Sequence, residues 1–186
     1  MRQEKGIDIF QVDAFTTDKA FSGNPASVCL VENPQDSLWM QAVAAEMNIS
    51  ETAFVSSVDD EFELRWFTPT VEVDLCGHAT LSAAHVLWAQ GIVKAGEKIS
   101  FKTLSAYLHA NQSSGWIELD FPAEPVTGAE APGSLLPALG IDEAAVYRNR
   151  LDYLVSVPTA DTVRELAPDF QRLKTVDMRG VMVTAP

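Results

Sequence analysis

The sequence predicts an α+β fold of two similar α/β units, in which a curved and mostly antiparallel sheet surrounds one central helix. A segment at about residues 77–90 has a helical pattern but is apolar on nearly every side, which is typical of a helix inside a fold. Short strand patterns precede and follow this segment. A strand–helix–strand order then occurs twice, at residues 27–55 and at residues 153–184. These three observations carry the fold prediction.

The first predicted unit, residues 1–121, is built from alternating strand and helix patterns. The letters "GNP" predict a turn between its first two strands. Asp36 or Ser37 can cap the helix that follows, and Gly91 can end the central helix. The predicted strands cover residues 7–12, 27–31, 52–55, 62–67, 98–103, 107–111 and 116–121, and the predicted helices cover residues 38–47 and 77–90.

The composition changes at residues 122–134, which are rich in Pro, Gly, Ala and Glu and are predicted to be a linker. Residues 135–186 are predicted to start a second unit, with strands at 153–157 and 181–184 and a helix at about 160–166. This unit would lack its own strand pair and central helix, and a half-built sheet exposes an unpaired edge. We therefore expect that the sequence is an incomplete piece of a longer protein, or that a partner chain completes it.

The composition limits the class of partner. Hydrophobic residues make up 47% of the 186 positions, as in globular proteins, and the formal net charge is −13. Nucleic acid or an anionic membrane would repel such a chain, so we expect a small molecule or a protein, including a second copy in a homodimer. No segment approaches the roughly 18 apolar residues of a membrane span, and the N-terminus lacks the apolar part of a signal peptide. The expected compartment is the cytoplasm.

The cysteines, histidines and glycines give no sign of a cofactor. Cys29 and Cys76 are too few for a disulfide framework and have no metal-ligand spacing, so both are expected to be free thiols. His78 and His85 lie about two helical turns apart, but without nearby carboxylates such a pair is a poor metal site. The glycines form no phosphate-binding motif. We expect neither a metal nor an organic cofactor.

Glu51, in the stretch "NISETAFV", is the first candidate for chemistry. A carboxylate between a polar turn and an apolar run is most often a surface or capping residue. The functional alternative is a general acid or base whose pKa is raised by its apolar neighbours Ala53, Phe54 and Val55. The position of Glu51 in the sequence leaves both interpretations open.

The second candidate is the segment "DLCGHAT" at the start of the predicted central helix. Gly77 lets a ligand approach the backbone closely, and the N–H groups of His78, Ala79 and Thr80 can bind a carboxylate at a helix N-terminus. His78 can also hold a substrate or relay a proton. The alternative is an ordinary helix start with a histidine in its first turn.

Cys76, in the same segment, is the third candidate. A thiol beside a helix N-terminus has a lowered pKa and can take a proton from a substrate carbon. A small buried hydrophobic residue is the commoner role of a lone cysteine. The thiol mechanism also needs a second cysteine from the other unit, and no cysteine follows Cys76.

These motifs resemble those of the PhzF-like isomerases of phenazine biosynthesis, which are relatives of diaminopimelate epimerase and proline racemase. The similarity runs through "IDIFQVDAFTTDKAFSGNPASVCLV", "MNISETAFV" and "RWFTPTVEVDLCGHATLSAAHVL", in that order, and weakens after about Phe121. The resemblance implies a diaminopimelate epimerase-like fold. In this fold, each of two units is a barrel-like antiparallel sheet around a central helix, and the active site lies in the cleft between them.

The resemblance also implies roles for particular residues. Glu51 would give and take the proton of an isomerisation that needs no cofactor. The residues implied to bind a small carboxylated substrate are Asp74, Gly77, His78, Ala79 and Thr80. Family members also have a second glycine-rich block, typically D-P-x-T-G-S-A, which does not occur in this sequence. We therefore expect weak or no activity from this chain alone. The alternatives are a thiol-dependent racemase or epimerase that uses Cys76, and a non-catalytic binding or dimerising fragment.

Overall fold

A computed structural model of the chain describes residues 6–19, 22–58 and 61–186. Its contacts divide the chain into two units, Met1–Phe121 and Pro122–Pro186. None of the described helices is long and apolar enough to cross a membrane.

The first unit contains every helix and strand that the sequence predicts for it, and one further short strand, β5. Its elements, in chain order, are β1 (Asp8–Ala14), β2 (Asn24–Val31), α1 (Ser37–Met47), β3 (Glu51–Val58), β4 (Glu61–Phe67), β5 (Glu72–Val73), α2 (Gly77–Ala89), β6 (Ile99–Lys102), β7 (Tyr107–Ser113) and β8 (Trp116–Asp120).

The eight strands found among the described residues of this unit form one mixed sheet in the order β1-β2-β3-β4-β6-β7-β8, with β5 paired to β4. The β2–β3 and β4–β6 pairs are parallel, and the other pairs are antiparallel. Each parallel pair is joined by a crossover that contains a helix, α1 in the first case and α2 in the second, because parallel neighbours cannot be joined by a tight turn. The α+β class and the mostly antiparallel sheet are thus as predicted.

Helix α2 is the predicted central helix, and it is buried on nearly every side. Its buried residues are Ala79, Thr80, Ser82, Ala83, Ala84, Val86, Leu87 and Trp88, whereas His85 is exposed. The helix packs in a core with strand residues such as Trp66, Phe101 and Leu108. Its two buried hydroxyl residues are tolerated because each donates to a backbone carbonyl four residues earlier in the chain.

Helix α1 packs on the other face of the sheet and sets the start of β3. Asp36 is the N-cap, since its side chain accepts the N–H of Trp39, and Asn48 ends the helix in the left-handed conformation. Met40 and Ala44 pack against Phe54 and its neighbours in a second core cluster. The chain then turns directly into β3, which begins at Glu51.

The predicted "GNP" turn is only partly correct. Gly23 has a φ of +94°, and a Cβ there would meet the carbonyl oxygen of Ala14 at 2.5 Å, so this position requires glycine. Asn24 and Pro25 already belong to β2. The proline is tolerated because it lies at the start of the strand, and pairing with β3 begins only at Ala26.

The second unit contains a four-stranded sheet in the order β12-β11-β10-β9. Its elements are β9 (Thr127–Gly128), α3 (Leu135–Leu139), β10 (Ala145–Arg148), β11 (Asp152–Ser156), α4 (Ala160–Arg164), α5 (Phe170–Leu173) and β12 (Gly180–Thr184). Leu135, Leu139 and Val155 are at the centre of its core. The predicted strands and helix of this unit are present as β11, β12 and α4.

The repeated strand–helix–strand order is present in both units. In the first unit β1 pairs antiparallel with β2, and β2 pairs parallel with β3 across α1. In the second unit β10 pairs antiparallel with β11, and β11 pairs parallel with β12 across α4 and α5. Residues 122–134, for which the composition predicts a linker, are instead grouped with the second unit and contribute β9, which pairs with β10.

Candidate active site

Glu51 is the first residue of β3 and faces the central helix. Side chains alternate along a strand, and Ala53 and Val55 pack in the core around α2, whereas Phe54 packs with the α1 cluster. Glu51 therefore lies on the α2 face of the sheet. Its side chain is 20% exposed, so the carboxylate lies at the edge of the core and not on the open surface.

His78 is the second residue of α2, and it brings an imidazole to this carboxylate. Its Nε2 lies 3.1 Å from Oε2 of Glu51, and its side chain is only 10% exposed. The two residues that the sequence singles out from separate motifs are thus in contact. The site is formed where the start of β3 meets the start of the central helix.

The contact between Glu51 and His78 is electrostatic. The two atoms lie at ion-pair distance, but they are not aligned for a hydrogen bond, and Oε2 of Glu51 is buried without an aligned donor among the described residues. Nε2 also lies 3.3 Å from Oγ of Ser50. The carboxylate oxygen therefore keeps its capacity to accept a hydrogen bond or a proton.

Cys76 contacts the opposite edge of the same imidazole ring. Its Sγ lies 3.5 Å from Nδ1 of His78, and the residue is 7% exposed. Cys76 is the N-cap residue of α2 but makes no side-chain capping bond. The ring of His78 thus lies between a thiol and a carboxylate.

These contacts shift the pKa values of the pair in opposite directions. The contact with Cys76, and then the contact with Glu51, raises the pKa of His78 to about 10, although burial acts against this rise. The polar contact with His78 lowers the pKa of Glu51, although burial of the carboxylate acts to raise it. At neutral pH the site therefore holds a charged imidazolium beside an ionised carboxylate.

The direction of the Glu51 shift corrects the sequence analysis. The apolar neighbours in the sequence predict a raised pKa, but Phe54 points to the other face of the sheet. Burial alone would raise the pKa of Glu51 as expected, but the polar contact with His78 outweighs it. The residue that controls the carboxylate is adjacent in space and distant in sequence.

Ser50 and Asn24 belong to the site, although the sequence analysis did not select them. The hydroxyl of Ser50 lies 2.7 Å from the carbonyl oxygen of Pro25 and 3.3 Å from Oδ1 of Asn24. Because a hydroxyl has one proton, donation to the nearer carbonyl leaves Oγ free to accept a hydrogen bond from His78. Asn24 lies within the motif "GNP" and Ser50 lies within "NISETAFV", and their place in these motifs was the available signal.

The other predicted binding residues have different environments. Gly77 is exposed, and a Cβ there would meet no atom within 4 Å, so the space beside it is open. The side chains of Ala79 and Thr80 are fully buried. Asp74 is exposed, and its carbonyl accepts a hydrogen bond from Ser105.

Thr80 requires a correction to the predicted set of free amides. Both its N–H and its hydroxyl donate to the carbonyl of Cys76, at 3.2 and 2.6 Å. The amide of Thr80 therefore closes the first helical turn and cannot bind an anion. The amides available for a ligand are those that come earlier in this turn, where no side chain caps the helix.

Comparison with known proteins places this chain in a family. A family model described as phenazine biosynthesis-like protein matches residues 12–186. An uncharacterized isomerase of Halalkalibacterium halodurans is 49% identical over 178 residues, which are 95% of this chain and 67% of that protein. An uncharacterized isomerase of Pseudomonas aeruginosa is 49% identical over 179 residues, which are 96% of this chain and 68% of that protein.

A solved structure gives the same assignment. The crystal structure of a phenazine biosynthesis protein of the PhzF family from Enterococcus faecalis superimposes with a TM-score of 0.83 and 37% sequence identity, over 96% of this chain and 68% of that chain. The chain thus spans about two thirds of the length of these relatives. The chain is a member of the phenazine biosynthesis-like, or PhzF-like, family of isomerases.

Proposed function

We propose that Glu51 is the general acid/base of a cofactor-independent isomerase that moves a proton on a small carboxylated substrate. The observation that carries this proposal is the contact between Glu51 and His78, 3.1 Å apart at the junction of β3 and α2. A carboxylate that faces a core helix and is ionised at neutral pH can accept a proton from carbon without a metal or an organic group.

The proposed reaction has two proton transfers on one residue. Glu51 takes a proton from a C–H bond of the substrate and becomes a neutral carboxylic acid, while the electron pair of that bond is delocalised into the substrate. Glu51 then returns the proton to the substrate, either at another carbon or on the other face of the same carbon. The carboxylate is ionised again at the end, so the reaction consumes nothing.

His78 and the start of α2 would stabilise the charge that develops between the two steps. The imidazolium of His78 is positive at neutral pH, and the positive end of the α2 dipole lies at the same place. The free amides of the first turn, beside the open space at Gly77, can bind the substrate carboxylate. Substrate contact by Asp74 stays a prediction, as do a cytoplasmic location, a homodimer and a biosynthetic role.

The first test replaces Glu51 by Gln, which keeps the size of the side chain and removes its titratable proton. A panel of small α-amino and α-hydroxy carboxylates is incubated with the protein in D₂O, and exchange of C–H for C–D is followed by NMR. We expect Glu51→Gln to slow exchange by about 10²–10⁴-fold, the usual contribution of a general acid/base. The matched control is Glu97→Gln, a surface carboxylate that faces Lys94. Exchange at the wild-type rate in Glu51→Gln would contradict the role of Glu51.

A thiol-dependent racemase or epimerase is the second candidate function, and the contact between Cys76 and His78 favours it. A thiol next to an imidazole is the usual arrangement of a reactive cysteine. Cys76→Ser separates the two mechanisms. This substitution removes the base of the thiol mechanism. If Glu51 is the acid/base, the variant should still exchange C–H for C–D in the same D₂O assay. Inactivation of the wild-type protein by a thiol alkylating reagent would support the thiol mechanism only if Glu51→Gln also retains exchange.

A further inference from the structure

We propose that Glu51, Cys76 and His78 also form a binding site for a thiophilic divalent metal ion, Zn²⁺ or Cd²⁺, and that occupation of this site inhibits the isomerase. The binding itself depends only on the geometry of these three side chains. The inhibition rests on the proposed function, because it requires that Glu51 be the acid/base.

The distance between Cys76 and His78 is the one that a zinc site needs. Zinc binds thiolate sulfur at about 2.3 Å and imidazole nitrogen at about 2.0–2.1 Å in tetrahedral geometry, which separates the two ligand atoms by about 3.5 Å. Sγ of Cys76 and Nδ1 of His78 lie 3.5 Å apart. Two of the three ligand atoms are therefore already placed for one ion, and binding releases one proton from the imidazolium of His78 and one from the thiol of Cys76 to solvent.

Glu51 supplies the third ligand. One ligand atom from each of Glu51, Cys76 and His78 lies within 4.8 Å of the other two. Oε2 of Glu51 is at the Nε2 edge of the imidazole, so its carboxylate must swing toward Cys76 to reach the ion. This movement breaks no aligned hydrogen bond to Oε2, because that atom has none among the described residues.

The chemistry of the three ligands selects the metal. A thiolate and a carboxylate together neutralise a divalent ion, and an imidazole adds a nitrogen ligand that suits zinc. Mg²⁺ and Ca²⁺ are excluded as occupants, because they require sets of oxygen ligands. Three protein ligands leave one position of a tetrahedral ion for water. An ion held here would occupy Glu51, the proposed acid/base, and His78, which would stabilise the developing charge, so it acts as an inhibitor and not as a cofactor.

The test is a titration of the whole 186-residue chain with CdCl₂, followed by the ultraviolet absorption of the cadmium–thiolate bond. We expect one Cd²⁺ per chain, and we expect Cys76→Ser to abolish the absorption. Zn²⁺ affinity, measured by calorimetry, should fall at least about tenfold in Glu51→Gln and in His78→Asn, since even outer-shell partners contribute that much. Neither measurement depends on turnover, so a failure of this proposal is distinguishable from a failure of the proposed function.

Two control variants are available within the chain. Cys29→Ala removes the other thiol, which is fully buried in the α1 cluster, and His85→Asn removes an exposed imidazole from the same helix. Both should keep the cadmium band and the zinc affinity. A band that persists in Cys76→Ser would overturn the proposal, and so would unchanged zinc affinity in both Glu51→Gln and His78→Asn. If Cys76→Ser does not fold, mass spectrometry of the wild-type protein replaces it. Zn²⁺ should protect Cys76 from alkylation, and equal alkylation with and without Zn²⁺ would overturn the proposal.

Discussion

His78 determines the charge of the candidate site, because its two ring nitrogens face different partners. Nδ1 lies 3.5 Å from Sγ of Cys76, and Nε2 lies 3.1 Å from Oε2 of Glu51. A protonated imidazole has an N–H on each side, whereas a neutral ring has one only. The protonated form therefore directs one N–H toward the thiol and presents its positive charge to the carboxylate. This explains why the pKa of His78 rises although the ring is largely buried.

The stability that this pair contributes should depend on pH in a defined direction. Folding raises the pKa of His78 from 6.5 to about 10, so its contribution is complete below pH 6.5 and is lost as the pH rises to 10. Folding lowers the pKa of Glu51 from 4.5, so its contribution is present above pH 4.5 and is lost in more acidic solution. His78→Asn should lower the free energy of unfolding. We expect this loss, measured by urea denaturation, to become smaller as the pH rises from 6.5 to 10.

The matched control for this measurement is His85→Asn. His85 lies on the same helix, but its side chain is exposed and no ion pair is found for it among the described residues. Its replacement should change the free energy of unfolding by an amount that stays constant over the same pH range. A constant difference for His78→Asn as well would show that the ion pair with Glu51 contributes no pH-dependent stability.

The sequence identifies Glu51, Cys76 and His78 one by one, but it does not identify their contact. That contact arises because β2 and β3 pair in parallel, with Ala26 opposite Glu51, and because α2 packs on the face of the sheet that Glu51 shares. Neither arrangement is encoded in a local pattern. The direction of the Glu51 pKa shift could not be predicted for the same reason, since it depends on an imidazole from a distant helix.

At the scale of the element, the central helix α2 depends on small residues. Ala79, Ala83 and Ala84 are fully buried, so the sheet approaches this helix closely along these positions. Ala83→Leu would add three carbon atoms to a closed core and should reduce the free energy of unfolding by about 1–3 kcal/mol. Ala89→Leu is the matched control, because Ala89 is exposed in the last turn of the same helix. Urea denaturation measures both variants, and an equal effect of the two would contradict the close packing of α2.

The two helices of the first unit are long enough to be predicted from the sequence. Helix α2, with buried residues on nearly every side, and helix α1, with its Asp36 cap, could be recognised from their own residues. The strand β5 has two residues and exists only because it pairs with β4. The helix α3 has five residues and includes Pro137, which sequence patterns treat as a break although proline is tolerated in a first turn. Both β5 and α3 depend on tertiary partners that no local pattern shows.

At the scale of the whole molecule, the repeat could be predicted because each copy is local. A strand, a helix and a parallel strand follow one another directly in both units, so their order is visible in the sequence. The structure of residues 122–134 could not be predicted as well. Residues 122–134 are rich in Pro and Gly, which predicts a linker, but a two-residue strand such as β9 needs no apolar run of its own. Composition alone does not distinguish a linker from a segment that contains so short a strand.

Each unit has a core made of its own residues. The core around α2 consists of residues of the first unit, and the core that contains Leu135 consists of residues of the second. Glu51 and His78 both belong to the first unit, so the candidate site should keep its structure when the second core is weakened. Leu135 is fully buried, and its replacement by Ala should cost about 2–5 kcal/mol.

Hydrogen exchange followed by mass spectrometry can test this separation of the two cores. In Leu135→Ala we expect faster exchange in β10, β11 and β12, with unchanged exchange in β3 and α2. The reciprocal variant, Leu87→Ala in the central helix, should speed exchange in β3 and α2 and leave the second unit unchanged, because Leu87 is buried among first-unit residues. Faster exchange in both units in either variant would contradict independent cores. It would mean that the geometry of Glu51 and His78 depends on the stability of the second unit.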